Sequence, residues 1–299
     1  MGLPIRTRYS GMEGALRSRG EEVEDEFGDD VDLVSYLGPI DDEIGVAVLK
    51  SVLDTIQEHK PKLLLNLETY GGYVESAERM ANIFRHHYGH VDFAVTTHAI
   101  SAGTVLVMSG DRIWMDYAAT LGPIDPQTRL VDETWLPALG YLEQYERLIK
   151  RSRDGTITPV EEAFLIEKFD PAQLYMFEQA RALSVALIED WLVRYKFREW
   201  TVTQTRGMPV TDEMRKERAA HVANMLNDTG HWHSHSRGIS RDVIERELYL
   251  QIEHLDSDEE PIAAFGDALR QYNESLFDYR AIRGHELIVI ESKVGYFGR

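Results

Sequence analysis

The sequence predicts an α/β fold on a mainly parallel sheet, and three observations carry that expectation. Between Asp32 and Arg129, short apolar runs alternate with amphipathic stretches at helical spacing. The runs are continuous rather than alternating, as in strands buried on both faces. The stretches between them are long enough to cross from the end of one strand to the start of a parallel neighbour.

Taken in order, "DLVSYLGPI" has strand character and ends at a Gly-Pro break. "DDEIGVAVLKSVLDTIQEHK" starts with acidic residues and sets Ile44, Val48, Leu49, Val52 and Ile56 on one helical face. "PKLLLNLET" is a buried strand, and "YGGYVESAERMANIFRHHYG" is a glycine turn entering an amphipathic helix. "HVDFAVTTHA", "SAGTVLVMSG" and "DRIWMDYAAT" read as strand, short apolar helix and strand. Beyond Arg129 the pattern turns mostly helical over residues 131–228, a helical insertion with a charged, aromatic-rich stretch from Tyr141 to Trp200. A histidine-bearing loop, a helix starting near Ser240 and a last strand in "HELIVIESKVGYFGR" complete the chain. The expected organisation is a polar, flexible N-terminal arm over residues 1–30 and one domain over 31–299.

Composition excludes several functions. The formal net charge of −19 makes the surface as a whole repel nucleic acid and anionic membranes. The absence of cysteine removes disulfides, thiolate nucleophiles and cysteine-ligated metals. No segment reaches the roughly 18 consecutive apolar residues of a membrane helix. The first 30 residues lack the apolar middle of a signal peptide. The expectation is a cytoplasmic protein with no membrane span. No cofactor or metal is expected: His231, His233 and His235 are spaced like ligands, but carboxylates at ligand spacing are absent.

The chemistry-bearing feature is Ser101, set where an apolar strand becomes an apolar helix. A serine there is a helix cap or a nucleophile at a helix N-terminus. Twenty-nine residues upstream, about one strand–helix–strand unit, Gly72 sits in a Gly-Gly turn whose exposed N–H groups suit an anion. In a parallel sheet both turns emerge at the carboxyl edge, where such sheets place their sites.

The segments "NLETYGGYVESAERMA", "HAISAGTVLVMSGDRIWMD" and "ATLGPIDPQ", with "HWHSHSRGIS" further on, resemble the serine dehydrogenase proteinase family of the ClpP/crotonase superfamily. That family is related to the Clp proteolytic subunit and to signal peptide peptidase A. The resemblance implies a ClpP/crotonase-like fold of repeated strand-strand-helix units and serine peptidase activity through an acyl-enzyme. It implies Ser101 as nucleophile, Asp125 as acid and His235 as base, in a Ser, Asp, His triad. It assigns the oxyanion hole to Gly72 with the N–H of Tyr73, and Ala102 adds a further donor. Tyr70 stands where relatives commonly have proline, and Ala102 where they have glycine.

Two alternative bases stay open. His98 lies three residues before Ser101, and Lys150 lies 49 residues after it, as in the serine–lysine dyads of signal peptide peptidase A relatives. The implied substrate is a peptide or unfolded protein, and the implied state is a homo-oligomer, with the insertion and the aromatics Trp191, Tyr195, Phe197 and Trp200 as a contact surface or as internal packing. An ATPase or adaptor is the further partner class that the resemblance leaves open. The competing functions are an inactive ClpP-like assembly or adaptor subunit, and a crotonase-like thioester enzyme, in which a nucleophilic serine has no role.

Overall fold

The computed structural model describes residues 11–41, 44–124, 127–129, 135–203, 206–234, 237–291 and 295–298. Its centre is a seven-stranded sheet in the order β10-β5-β3-β2-β1-β11-β12. The strands are β1 (Val31–Leu37), β2 (Lys62–Glu68), β3 (His90–Val95), β5 (Arg112–Met115), β10 (Glu253–His254), β11 (Ile288–Glu291) and β12 (Gly295–Gly298). β10, β5, β3, β2 and β1 run parallel, while β11 is antiparallel to β1, and β12 to β11. The carboxyl-terminal segment therefore supplies two strands where the sequence predicts one.

The apolar runs divide by the two-residue period of a strand. Leu63, Leu65 and Leu67 join one core, with Val91, Phe93, Val95, Ile113 and Met115. Leu64, with Leu33, Ala94 and Trp114, joins the other. The first core is covered by α2 (Gly45–Thr55), α3 (Val74–His87), α4 (Ala102–Val107), α7 (Pro171–Trp191) and α8 (Asp212–Leu226). The second is covered by α1 (Gly11–Phe27) and α11 (Ile262–Arg283). On that face a partly buried polar row fixes α11 to the sheet. The Asn66 amide donates to Ser35 Oγ at 3.1 Å and to Asn273 Oδ1 at 2.7 Å, and Asn273 donates to Thr96 Oγ1 at 3.0 Å.

Residues 11–27, read from the sequence as part of a flexible arm, are a helix instead. Leu16 and Val23 are seven residues apart on one face and are buried against the second core. The stretch expected as a helical insertion is mostly helical among the described residues, but it opens on a pair of strands that the sequence does not predict. A hairpin of β7 (Gln127–Arg129) and β8 (Trp135–Pro137) leads into α5 (Ala138–Arg153), α6 (Pro159–Lys168) and α7, which ends in a π turn over Leu192–Lys196. Trp191, Tyr195, Phe197 and Trp200 pack onto the first core and so serve as internal packing. Arg85 clamps that junction: it lies 3.6 Å over the Tyr195 ring and pairs with Asp111 at 2.7 Å, which Arg198 also binds at 2.7 Å. The chain continues through α8, α9 (Thr229–Trp232), the short α10 (Arg241–Val243) and a π turn over Ile244–Leu248.

A histidine cluster at the ends of α2 and α3 carries a pH prediction. Burial holds the His87 imidazole below its ordinary pKa, and His59 and His86 push it further down, while Asp54 at 3.5 Å opposes them. A lowered folded-state value means that the unfolded chain takes up the proton first. This contribution to stability is full above the unfolded value of about 6.5 and is lost as pH falls below it. The denaturation midpoint should fall from pH 7.5 to 5.5, and His87→Gln should flatten that slope. An identical slope in the variant would remove His87 as a cause.

Candidate active site

A second, three-stranded sheet builds the site. Its order is β4 (His98–Ala99), β6 (Thr120–Leu121) and β9 (Ile239–Ser240). β4 and β6 are parallel, with His98 opposite Thr120 and Ala99 opposite Leu121, and β9 is antiparallel to β6, with Leu121 opposite Ile239. A parallel bridge from Thr69 to Ala99 joins this sheet to the carboxyl end of β2. By strand direction, the chain after β4, the chain after β6 and the chain before β9 leave the small sheet at one common end. Ser101 follows the first of these exits directly.

Ser101 is strained. Its backbone lies at φ 55° and ψ −118°, a conformation that side chains other than glycine rarely adopt. It stands at the N-cap of α4, yet its side chain makes no capping hydrogen bond. The cap reading therefore does not hold. The residue is only 8% exposed, so its side chain is largely buried.

The glycine turn packs directly against it. Gly71 has φ 101°, and a Cβ there would lie 2.6 Å from the Ile100 carbonyl oxygen and 2.9 Å from Ser101 Cβ. At Gly72, φ 154°, a Cβ would lie 1.9 Å from the Ile40 carbonyl oxygen. Backbone bonds hold the turn on "GPI": the Ile40 N–H donates to the Gly71 carbonyl and the Tyr73 N–H donates to the Ile40 carbonyl, both at 2.9 Å. Tyr73 thus spends its N–H inside the fold, which corrects its assignment as an oxyanion donor. Among the described residues, the N–H groups of Gly72 and Ala102 donate to no acceptor. Gly72→Ala is expected to cost about 3 kcal/mol or more, from overpacking and an unfavourable φ together. Urea unfolding measures it, and an unchanged midpoint would mean that the turn is not so constrained.

Thr69 supports the turn from below. It is buried, its Oγ1 accepts from the Gly71 N–H at 2.9 Å, and its backbone exchanges bonds with His98 and Ile100. Neither Thr69 nor Thr104 stands out in the sequence. Their only signal is a lone hydroxyl in an otherwise apolar or glycine-rich stretch.

Asp125 and His235 lie outside the described residues. Their described neighbours are well anchored. Ile124 is buried and donates its N–H to the Leu226 carbonyl at 3.1 Å. Trp232 is buried, and its indole N–H donates to the Met225 carbonyl at 2.6 Å. His231 faces Glu247, Nε2 to Oε2 2.8 Å, and the hydrogen bond from Arg246, together with this contact, holds that carboxyl below its usual range. The alternative bases are not brought to Ser101 by any hydrogen bond among the described residues. The His98 ring stacks on Tyr70 at 4.1 Å, with Nε2 buried and without a partner. Burial lowers the His98 pKa, Arg280 lowers it further, and Glu68 opposes both. Lys150 is exposed on α5.

Residues 35–158, the stretch that carries the glycine turn, Ser101 and Asp125, match the family model of the ClpP-like SDH-type serine proteinases. This is the family that the motifs resemble, and the matched segment carries the parallel α/β core described above. Two uncharacterized proteins of Methanocaldococcus jannaschii are similar over shorter stretches. One is 30% identical over 97 residues, 32% of each chain. The other is 38% identical over 63 residues, 21% of this chain and 22% of that protein. The matches thus span about a third and about a fifth of these relatives. A mutant of the 1510-N membrane-bound stomatin-specific protease, solved with a substrate peptide, overlaps 75% of this chain and 73% of its own at 10% identity and a TM-score of 0.42. Among the described residues, no helix is long and apolar enough to cross a membrane.

Proposed function

We propose that this chain is a serine peptidase that cleaves peptide bonds through an acyl-enzyme on Ser101. The observation that carries the reading is the strained, non-capping serine pressed against a two-glycine turn. Strain of this kind costs about 1–3 kcal/mol and persists where function requires the geometry. A sharp strand-to-helix turn that lifts a serine hydroxyl out of the backbone is a known way to present a nucleophile.

In this mechanism the Ser101 hydroxyl attacks the scissile carbonyl carbon while His235 takes its proton. Asp125 fixes the tautomer of that imidazole and stabilises its charge. The negative oxygen of the tetrahedral intermediate is received by the N–H groups of Gly72 and Ala102, the second of which also opens α4. The imidazolium returns the proton to the leaving amine, and water then cleaves the ester by the reverse steps. The common exit of the three strands of the small sheet supports this triad, since Asp125 and His235 are each four residues from that end. Tyr70 and Tyr73, both largely exposed beside the glycine turn, offer apolar contacts to an extended peptide.

Self-association accompanies the reading. Val160, Phe164, Ile166, Tyr175 and Met176 are exposed on α6 and α7 and offer a contact surface in place of the aromatics buried around Trp191. The reading is tested by a fluorophosphonate probe, which forms an adduct only with an activated hydroxyl. Mass spectrometry should locate that adduct on Ser101. An intact chain after prolonged exposure would point to an inactive assembly subunit.

A further inference from the structure

We propose that Thr104 is a positioning residue for this chemistry: its hydroxyl locks the turn that leads to Asp125 against the turn that carries Ser101. The proposal rests on the peptidase reading above. Thr104 is fully buried on the first turn of α4, three residues after Ser101. Its Oγ1 accepts from the Gly122 N–H at 2.9 Å. The same oxygen lies 2.8 Å from the Ala99 carbonyl and 2.9 Å from the Gly122 carbonyl, and its proton serves either.

These partners define the clamp. Ala99 ends β4 two residues before the nucleophile, and Gly122 follows β6 three residues before Asp125. The β4–β6 pairing ends at Ala99 and Leu121, so the Gly122 N–H has passed beyond the ladder when it meets Thr104. A buried N–H without an acceptor is costly, and here one side chain supplies the acceptor. Close approach is part of the arrangement: a Cβ on Gly122 would lie 2.7 Å from Ile100 Cγ2, one residue before Ser101. The far side of the turn is tied by the bond from Ile124 to Leu226. The approach to Asp125 is thus fastened to the helix of Ser101 at one end and to the end of α8 at the other. Valine would fill the same space in "SAGTVLV", so a packing role alone does not call for the hydroxyl.

The test compares Thr104→Val and Thr104→Ser in the full chain, by fluorophosphonate labelling rate and by kcat and KM for a peptide from pH 5.5 to 9. Thr104→Ser should stay within about threefold of the parent, because it keeps the hydroxyl. Thr104→Val should lower kcat and labelling by about 10- to 100-fold with KM little changed, as expected when reacting groups are misplaced by about an ångström. Its rate midpoint should also move to lower pH, because a base losing its carboxylate partner binds its proton less tightly. In an Asp125→Asn background Thr104→Val should cost under about threefold, since both act through one carboxylate. If Thr104→Val does not fold, Thr104→Ala carries the same comparison. Parental rates in the hydroxyl-free variant, or equal losses in both backgrounds, would overturn the positioning role alone. Absence of labelling in the parent chain would overturn the peptidase reading and this proposal with it.

Discussion

Ser101→Ala is expected to abolish peptide hydrolysis, with kcat falling by about 10⁶-fold, as when a triad nucleophile is removed. The fold should survive. The hydroxyl makes no capping bond at α4, so its loss removes no hydrogen bond from the helix end. No core volume is lost either, and alanine suffers the same positive φ as serine. Stability should therefore change by no more than about 1 kcal/mol. Ser101→Gly gives a sharper version of the experiment. Glycine adopts φ 55° without penalty, so this variant should be equally inactive yet more stable than the parent by about 1–2 kcal/mol. Activity and urea unfolding of the three proteins measure both effects. Turnover retained in purified Ser101→Ala would remove the residue from the chemistry. A glycine variant no more stable than the parent would remove the strain.

The sequence made the centre of this site legible because its signals are local. A continuous apolar run such as "LLLNL" needs burial on both faces wherever it lies, and β2 has it. Two adjacent glycines before an amphipathic helix demand a tight turn, and both adopt positive φ. What was not legible depends on partners distant in sequence. The apolar residues of α1 are scattered among charges, and their burial is made by α11, about 250 residues later. Nothing local in the sequence marks the acceptor of the Tyr73 N–H, because the Ile40 carbonyl lies 33 positions upstream in a loop without periodicity. The small sheet has strands of two residues, too short for any alternation to register. Hence the element that aligns the exits toward Ser101 and Asp125 and from His235 is invisible to pattern reading, although each residue is marked by its own motif.

The base is the remaining large effect. His235→Ala is expected to reduce kcat by about 10⁴- to 10⁶-fold, and Asp125→Asn by about 10⁴-fold, because the imidazole loses its fixed tautomer. Lys150→Ala should leave the rate within about twofold. A lysine base must be desolvated to lose its proton near neutrality, and Lys150 is exposed on α5. His98→Ala should matter little, since that ring is stacked on Tyr70 and makes no hydrogen bond to Ser101. The pH profile separates the two histidines by sign. Burial lowers the His98 pKa, so a His98 base would give a rate rising with a midpoint below the ordinary histidine value of about 6.5. A carboxylate partner stabilises imidazolium, so a His235 base paired with Asp125 should give a midpoint at or above that value. In the second case Asp125→Asn should move the midpoint down as well as lowering the plateau. In the first it should do neither. A rate that climbs steadily to alkaline pH and collapses in Lys150→Ala would make this a serine–lysine enzyme and end the triad reading.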